Sequence, residues 1–202
     1  MRPRKKKNAE KRLEAVSHLL IKDISEFEKY KDIELEIGCG KGDFITAMAL
    51  KNPDREYIAV EKVQTVIITA LEKAERARLK NAKFLNMDVA RLADIENSHF
   101  CSRIYLNFSD PWPHKRHEKR RLSADGFIEL YKKLLADGGE IHMKTDNEQL
   151  FDFSLESFEK NGFGLKNVTR DLHADVPADN IMTEYEKNFV AQGLPIFRLE
   201  AF

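Results

Sequence analysis

Three glycines at alternate positions, Gly38, Gly40 and Gly42, follow the apolar run Ile33–Ile37 and open an amphipathic segment starting at Asp43. Glycine permits a tight turn and lets backbone approach a ligand closely. The spacing departs from the dinucleotide fingerprint, which asks for glycine where Asp43 stands. An acid at a helix start also disfavours a pyrophosphate at the place where its charge should be welcome. The loop therefore predicts a ligand without phosphates. Carboxylates mark the ends of the neighbouring apolar runs: Glu36 in the first, Glu61 closing Tyr57–Val60 and lying 23 residues after Gly38, and Asp88 just past Lys83–Asn86. A carboxylate buried without a partner is costly, so Glu36 requires a cation or a donor. Glu34 reads as structural or solvent-facing. Taken singly, each of the other acids also reads as an exposed strand end.

A second group is Asn107-Phe108-Ser109-Asp110-Pro111-Trp112-Pro113, followed by His114–Arg121. Two prolines fix a rigid loop with few backbone donors. It holds an acid, an indole and, in the extension, five cations. A carboxylate matches the N1–H and N2–H₂ donors of guanine, and an indole can stack on a base. Alone, the loop reads equally well as a structural Pro-Trp corner with a capping aspartate. The formal net charge is zero, yet residues 1–12 carry a net +6 and residues 114–121 a net +4, leaving the other 182 residues at −10. Two basic segments on an acidic body make an electrostatic grip for a polyanion, here nucleic acid.

The glycine loop with its acids resembles the S-adenosylmethionine-dependent methyltransferases. In that reading Glu61 accepts from both ribose hydroxyls, and Asp88 accepts from the adenine amino group with Met87 against the ring. Glu36 meets the ligand's ammonium. A narrower resemblance rests on Leu35–Gly42, Ser109–Pro113, Arg116–Leu122, Lys144-Thr145-Asp146 and Thr183-Glu184-Tyr185-Glu186. Together these are similar to the bacterial tRNA (guanine-N7)-methyltransferase family, from about Ile33 to Phe202.

That resemblance implies a Rossmann-like class I methyltransferase: a mostly parallel seven-stranded sheet with an antiparallel C-terminal strand and helices on both faces. It implies S-adenosyl-L-methionine as cofactor, S-adenosyl-L-homocysteine as product, and tRNA as partner, methylated at a variable-loop guanine. The cofactor site would comprise Glu36, Gly38, Gly40, Glu61, Asp88 and Asp110, with Asp110 catalytic. RNA or substrate contacts would come from His114, Lys115, Arg116, Lys119, Arg120, Arg121, Asp146, Thr183, Glu184, Tyr185 and Glu186. The family's substrate-contacting lysine falls here on His114, so either Lys115 reaches the same group or His114 substitutes with a pH-dependent contact.

Guanine N7 has an in-plane lone pair and no proton, so its attack needs no general base. The task is alignment, plus stabilising the cation that forms on the purine. A carboxylate on the N1/N2 edge does both, and either Asp110 or Asp146 fits. A target inside folded RNA must be drawn out of its stack, with cations on the backbone positioning it. Two alternatives stand beside this one: a methyltransferase for another acceptor, and a non-catalytic RNA-binding module of the same fold. Asp43 argues against a nicotinamide dehydrogenase.

The elements that must position these residues alternate. Helical spacing over 9–29 gives one or two helices. Strands follow at 33–37, 57–60, 83–86, 104–108, 140–144, 164–170 and 196–201, with helices at 43–50, 63–77, 123–136, 147–160 and 183–192. Such alternation predicts a parallel sheet covered on both faces. The 202 residues read as a flexible basic tail, 1–12, and one domain, 13–202. No apolar run is long enough to span a bilayer, and none follows the basic first residues as a secretory leader would. Cys39 and Cys101 make neither a disulfide framework nor a metal cluster. His99, His142 and His173 lack ligand spacing, so no metal is expected. A cytoplasmic protein, monomer or homodimer, is the expectation. Deleting residues 1–8 should weaken tRNA binding and flatten its dependence on salt; a titration of binding at several salt concentrations measures both.

Overall fold

The computed structural model describes residues 8–96, 98–178 and 180–202, so Arg2–Lys7 of the basic tail lie outside the described residues. The strands are β1 (Ile33–Ile37), β2 (Glu56–Val60), β3 (Ala82–Leu85), β4 (Cys101–Asn107), β5 (Leu135–Thr145), β6 (Leu165–Thr169) and β7 (Phe197–Ala201). They form one seven-stranded sheet in the order β3-β2-β1-β4-β5-β7-β6. The α-helices are α1 (Ala9–Ala15), α2 (Asp43–Lys51), α3 (Gln64–Arg76), α4 (Asp125–Leu134), α5 (Glu148–Lys160) and α6 (Glu184–Val190). The chain divides into two compact units, Met1–Asn97 and Ser98–Phe202.

In the first unit β1, β2 and β3 run parallel, with Ile33 opposite Glu56 and Tyr57 opposite Ala82. All five residues of β1 are buried, as a strand covered on both faces requires. Strand alternation puts Glu34 and Glu36 on one face of it. Glu34 is 1% exposed and receives Arg55 Nη1 at 2.6 Å, so the structural reading of that acid is the right one. The stripe Ile67, Ala70, Leu71 and Ala74 of α3 joins Ile45 and Ala49 of α2 in one core with Tyr57, Ala59 and Phe84.

The segment before β1 departs from the expectation of one or two helices over 9–29. Helix α1 ends at Ala15, and short 3₁₀ turns follow at Ser17–Leu19 and Ile24–Lys29. The cause is tertiary. Leu20 is extended and bridges to Phe84, while Ile21 N–H donates to Phe84 O, covering the open edge of β3. Residues 9–12, counted with the tail by charge, are helical. Arg12 donates to both oxygens of Glu72 at 2.6 Å, tying α1 to α3.

In the second unit β4 and β5 are parallel, whereas β7 is antiparallel to both β5 and β6. The glycine pair Gly138-Gly139 suggested a helix running to Ala136. Helix α4 stops at Leu134 instead, and β5 starts at once. His99 and Phe100 donate their N–H groups to Lys133 O and Leu134 O, carbonyls that a helix end leaves open. A Cβ at position 139 would lie 2.9 Å from Ala136 O and 3.0 Å from Cys101 O, so that glycine belongs to close strand packing.

Gly42 meets the same constraint at the head of α2. Its φ is +77°, and a Cβ there would stand 2.6 Å from Ala70 Cβ. Gly42→Ala should therefore lose about 3 kcal/mol of folding free energy, from left-handed strain and overpacking together, as read from urea unfolding.

Candidate functional site

The first unit builds a cradle from the ends of its three strands. The φ angles of Gly38 and Gly40 are +80° and +56°, and open space lies where their Cβ atoms would be. Gly38 and Cys39 donate their N–H groups to Val60 O at 2.8 and 3.1 Å, and Gly42 N–H donates to Cys39 O at 2.9 Å. Gly40 N–H donates to Glu61 Oε2 at 3.2 Å, while Val63 N–H donates to Glu61 Oε1 at 2.8 Å. These four loop amides are thus satisfied within the protein and do not form an anion nest. The head of α2 likewise carries its own acid, Asp43, paired with Lys73 at 2.5 Å. A phosphate-free ligand suits such a loop.

Glu61 is held from three sides. Its N–H donates to Leu85 O, its carbonyl accepts from Asn86 Nδ2 at 2.8 Å, and its carboxylate joins the glycine loop to the start of α3. Glu36 is 2% exposed beneath the loop. Burial pushes the Cys39 thiol well up, and the charges of Glu36 and then Glu61 push it further. Cys39 is therefore an inert filler. Asp88 is exposed past β3, where it caps a 3₁₀ turn through Ala90 N–H at 3.0 Å. A cavity of about 370 Å³ next to it is lined by Ile21, Asp23, Ile24, Asn86, Met87 and Arg91. The carboxylates, the small-residue loop and Met87 fit a cationic nucleoside such as S-adenosylmethionine.

The second unit carries the other residues. After β4, Phe108 and Trp112 adopt φ of +51° and +41°, bracketing Asp110, which is exposed. The loop is clamped by Arg121, whose Nε donates to Pro111 O at 3.0 Å and Nη2 to Trp112 O at 3.2 Å. Arg121 is 2% exposed, with its guanidinium over Phe153. The sequence counted it among the phosphate-gripping cations; with its donors turned inward it acts as the clamp that shapes the Asp110 loop. The Trp112 ring, expected to stack on a base, lies under Arg120 and against His117. His114 precedes a 3₁₀ turn, Lys115–Arg120, and His114, Lys115, Arg116, Lys119 and Arg120 are exposed.

The Thr183–Glu186 motif divides in two. Thr183 Oγ1 accepts from Glu186 N–H at 2.9 Å, and Glu186 reaches back to Thr183 N–H, a capping box that opens α6. Glu186 is 0% exposed and takes Lys144 Nζ at 2.6 Å, with His173 Nε2 and Asn180 Nδ2 each at 3.0 Å. Burial raises its pKa, but Lys144 and the other donors outweigh that and leave it lowered. Thr183 and Glu186 are therefore buried in the scaffold, where the sequence had expected RNA contacts. Glu184 and Tyr185 face outward beside them. Lys144, His173 and Asn180 are the residues that sequence reasoning missed, although the Thr-x-x-Glu spacing was itself a legible capping signal. Asp146 is half-buried after β5 and helps to raise the Tyr185 pKa.

Glu140, His142 and Glu200 bring ligand atoms within 4.8 Å of one another, a metal-like arrangement that sequence spacing did not disclose. Lys166 bonds Glu140 and Arg198 bonds Glu200 there, so cationic side chains already neutralise the acids.

Solved structures share this fold. A SAM-dependent methyltransferase from Aquifex aeolicus superimposes with a TM-score of 0.56 at 15% identity, covering 97% of this chain and 98% of its own. The fold is thus that of the class I S-adenosylmethionine-dependent methyltransferases. A family described as "Putative methyltransferase" matches residues 31–199. The tRNA (guanine-N(7)-)-methyltransferase of Bacillus licheniformis is 44% identical over 209 residues, covering all of this chain and 98% of the relative. That of Lysinibacillus sphaericus is 51% identical over 176 residues, covering 87% and 82%. The chain belongs to the tRNA (guanine-N(7)-)-methyltransferase family.

The buried pair sets a stability test. Lys144→Met leaves Glu186 charged and buried, at a cost of about 3–5 kcal/mol, and adding Glu186→Gln should recover part of it in urea unfolding. Because the folded-state pKa of Glu186 is lowered, its contribution is present above the ordinary value of 4.5 and is lost as pH falls through the folded value. The Lys144→Met/Glu186→Gln protein should lack that part of the acid limb.

Proposed function

We propose that this protein transfers the methyl group of S-adenosylmethionine to N7 of a guanine in the variable loop of tRNA. The observation that carries the reading is the loop after β4, where an exposed carboxylate, Asp110, precedes the exposed cations Lys115, Arg116, Lys119 and Arg120 on a frame fixed by buried Arg121. Family membership and the glycine cradle support it from the cofactor side.

S-adenosylmethionine, when bound, supplies a methyl group on a positively charged sulfur. Glu36 would meet its ammonium, Glu61 its ribose hydroxyls and Asp88 its adenine amino group, with Gly38 and Gly40 giving it room. The protein needs no general base, since N7 carries a lone pair and no proton. Its work is to hold the guanine in place and to favour the positive charge that grows on the purine. A carboxylate accepting from N1–H and N2–H₂ does both, a role open to Asp110 and Asp146. The exposed cations bind phosphate and position the RNA without reading sequence. Lys115, the first residue of the 3₁₀ turn, takes the family lysine's role in this reading, with His114 as its pH-dependent alternative. Among the described residues no helix is long and apolar enough to cross a membrane; a tRNA substrate supports the cytoplasm as the place of work.

Labelled methyl transfer from S-adenosylmethionine to unmodified tRNA, followed by cleavage mapping of N7-methylguanine, tests the proposal. Label at one variable-loop guanine, lost when that base is changed, supports it; labelled tRNA without N7 cleavage moves the acceptor atom and overturns it. Asp110→Asn should keep its melting temperature and lower kcat by about 10²-fold or more. Unchanged turnover at saturating substrates would remove Asp110 from the chemistry.

A further inference from the structure

Two adjacent arginines close the turn after the Asp110 loop, and both grip the same tryptophan. Arg121, buried, donates to Pro111 O at 3.0 Å and to Trp112 O at 3.2 Å. Arg120, exposed, lies with its guanidinium carbon 4.9 Å from the centre of the Trp112 ring. One arginine therefore holds the backbone of Trp112, and the other rests on its side chain. The turn between them is closed by its own amides, His117 N–H donating to His114 O and Arg121 N–H to Glu118 O.

Trp112 occupies this position at a cost. Its φ of +41° is a left-handed conformation that a bulky residue rarely adopts. Such strain persists only where the surroundings over-determine it, and here Arg121 fixes the carbonyl on either side of the strained residue. The direction of the indole is thus imposed from inside the fold. The His117 ring meets the indole at 5.7 Å and 84°, and the His114 ring meets that of His117 at 5.9 Å. Trp112 is half-buried. A base that stacks needs an open ring face, whereas this indole already has a guanidinium on one face and an imidazole packed against it.

The chemistry of the contact says what it is for. Indole is the strongest aromatic partner for a cation, and a guanidinium resting on a ring keeps its N–H donors for other groups. An arginine side chain is rich in rotamers, and ordering it before a ligand arrives removes part of the entropy lost on binding.

We propose that Trp112 is a positioning residue: its ring holds Arg120 in the conformation that meets an RNA phosphate, and no base stacks on it. The proposal rests on the tRNA reading above and deepens it. The left-handed backbone, the Arg121 clamp and the indole then form one device that aims a phosphate-binding cation.

Trp112 is the only tryptophan of the chain, so intrinsic fluorescence of the full-length protein reads this ring alone. Arg120→Ala should uncover the ring and move its emission to longer wavelength, and saturating the wild type with unmodified tRNA should leave most of the emission in place. Binding of unmodified tRNA at several salt concentrations is the second measurement. Arg120→Ala should raise Kd several-fold and reduce the slope of log Kd against log salt by about one, as loss of one phosphate contact requires. Trp112→Leu should raise Kd and KM for tRNA about threefold, reduce the slope in the same direction and keep kcat. Trp112→Phe, which retains a ring face, should fall between Trp112→Leu and the wild type. The double variant Trp112→Leu/Arg120→Ala should bind as Arg120→Ala does, because one residue acts through the other.

Losses that multiply in the double variant, or an unchanged salt slope in Trp112→Leu, overturn the proposal. So does quenching of most of the wild-type emission by tRNA, which would show a base on the ring. A Trp112→Leu protein that melts as the wild type does but loses kcat ties the indole to the reacting centre and also overturns it. If Trp112→Leu fails to fold, the emission of Arg120→Ala, which keeps the indole, still decides: an unchanged spectrum overturns the contact. Methylation of some other atom by the wild type overturns the N7 reading alone, and a wild type that binds no tRNA overturns both.

Discussion

A carboxylate can leave water only if a cation or several donors go with it, and that requirement organises both units of this protein. An ionised group in a low-dielectric interior costs several kcal/mol unless it is compensated. Glu34 meets the requirement with Arg55, Glu61 with two backbone amides, and Glu186 with Lys144, His173, Asn180 and its own helix start. Each solution also does structural work. Arg55 secures the turn into β2, Glu61 joins the glycine loop to α3, and Glu186 fixes α6 against the end of β5. The glycine-loop cradle and the start of α6 are shaped by placing charges where they can be satisfied.

The loops after β1 and β4 reach rigidity by different means. Around Gly38–Gly42 the backbone is free of side-chain constraint, and order comes from amide donors closing on Val60 O, Cys39 O and Glu61. Those closures leave the loop without an anion nest, which suits a ligand without phosphates. The loop after β4 contains two prolines and offers few amides, so order comes from outside. The Arg121 guanidinium accepts that role by donating to two loop carbonyls while resting on the face of Phe153. Replacing it with lysine would lose the forked geometry that reaches both carbonyls at once.

Much of this was legible in the chain. The residues of β1, the start of α2, the body of α3 and the helix over 147–160 follow from periodicity, and the structure places them within a residue or two of the expectation. The misreadings share one cause. The glycine pair at 138–139 resembled a helix stop, but the carbonyls of Lys133 and Leu134 were claimed by His99 and Phe100, just ahead of β4. The pattern over 9–29 resembled one or two helices, but Leu20 and Ile21 were drawn into pairing with Phe84. A partner more than thirty residues away outbid the local preference in each case.

The same division runs through the site. The sequence by itself determined the chemical inventory: the glycine spacing, the order of acids at strand ends, the rigid Asp-Pro-Trp loop with its cations, and the Thr-x-x-Glu motif. These are properties of residue type and short spacing, and local chemistry suffices to state them. Only the tertiary structure decided which charges face solvent. Arg121 and Arg120 are adjacent in sequence, yet one clamps a loop from inside and the other is exposed. Glu186 and Tyr185 are likewise neighbours, and one is sealed against Lys144, 42 residues away, while the other stands in water. Burial is a property of what packs around a side chain, and long-range pairing settles it after the chain has closed on itself.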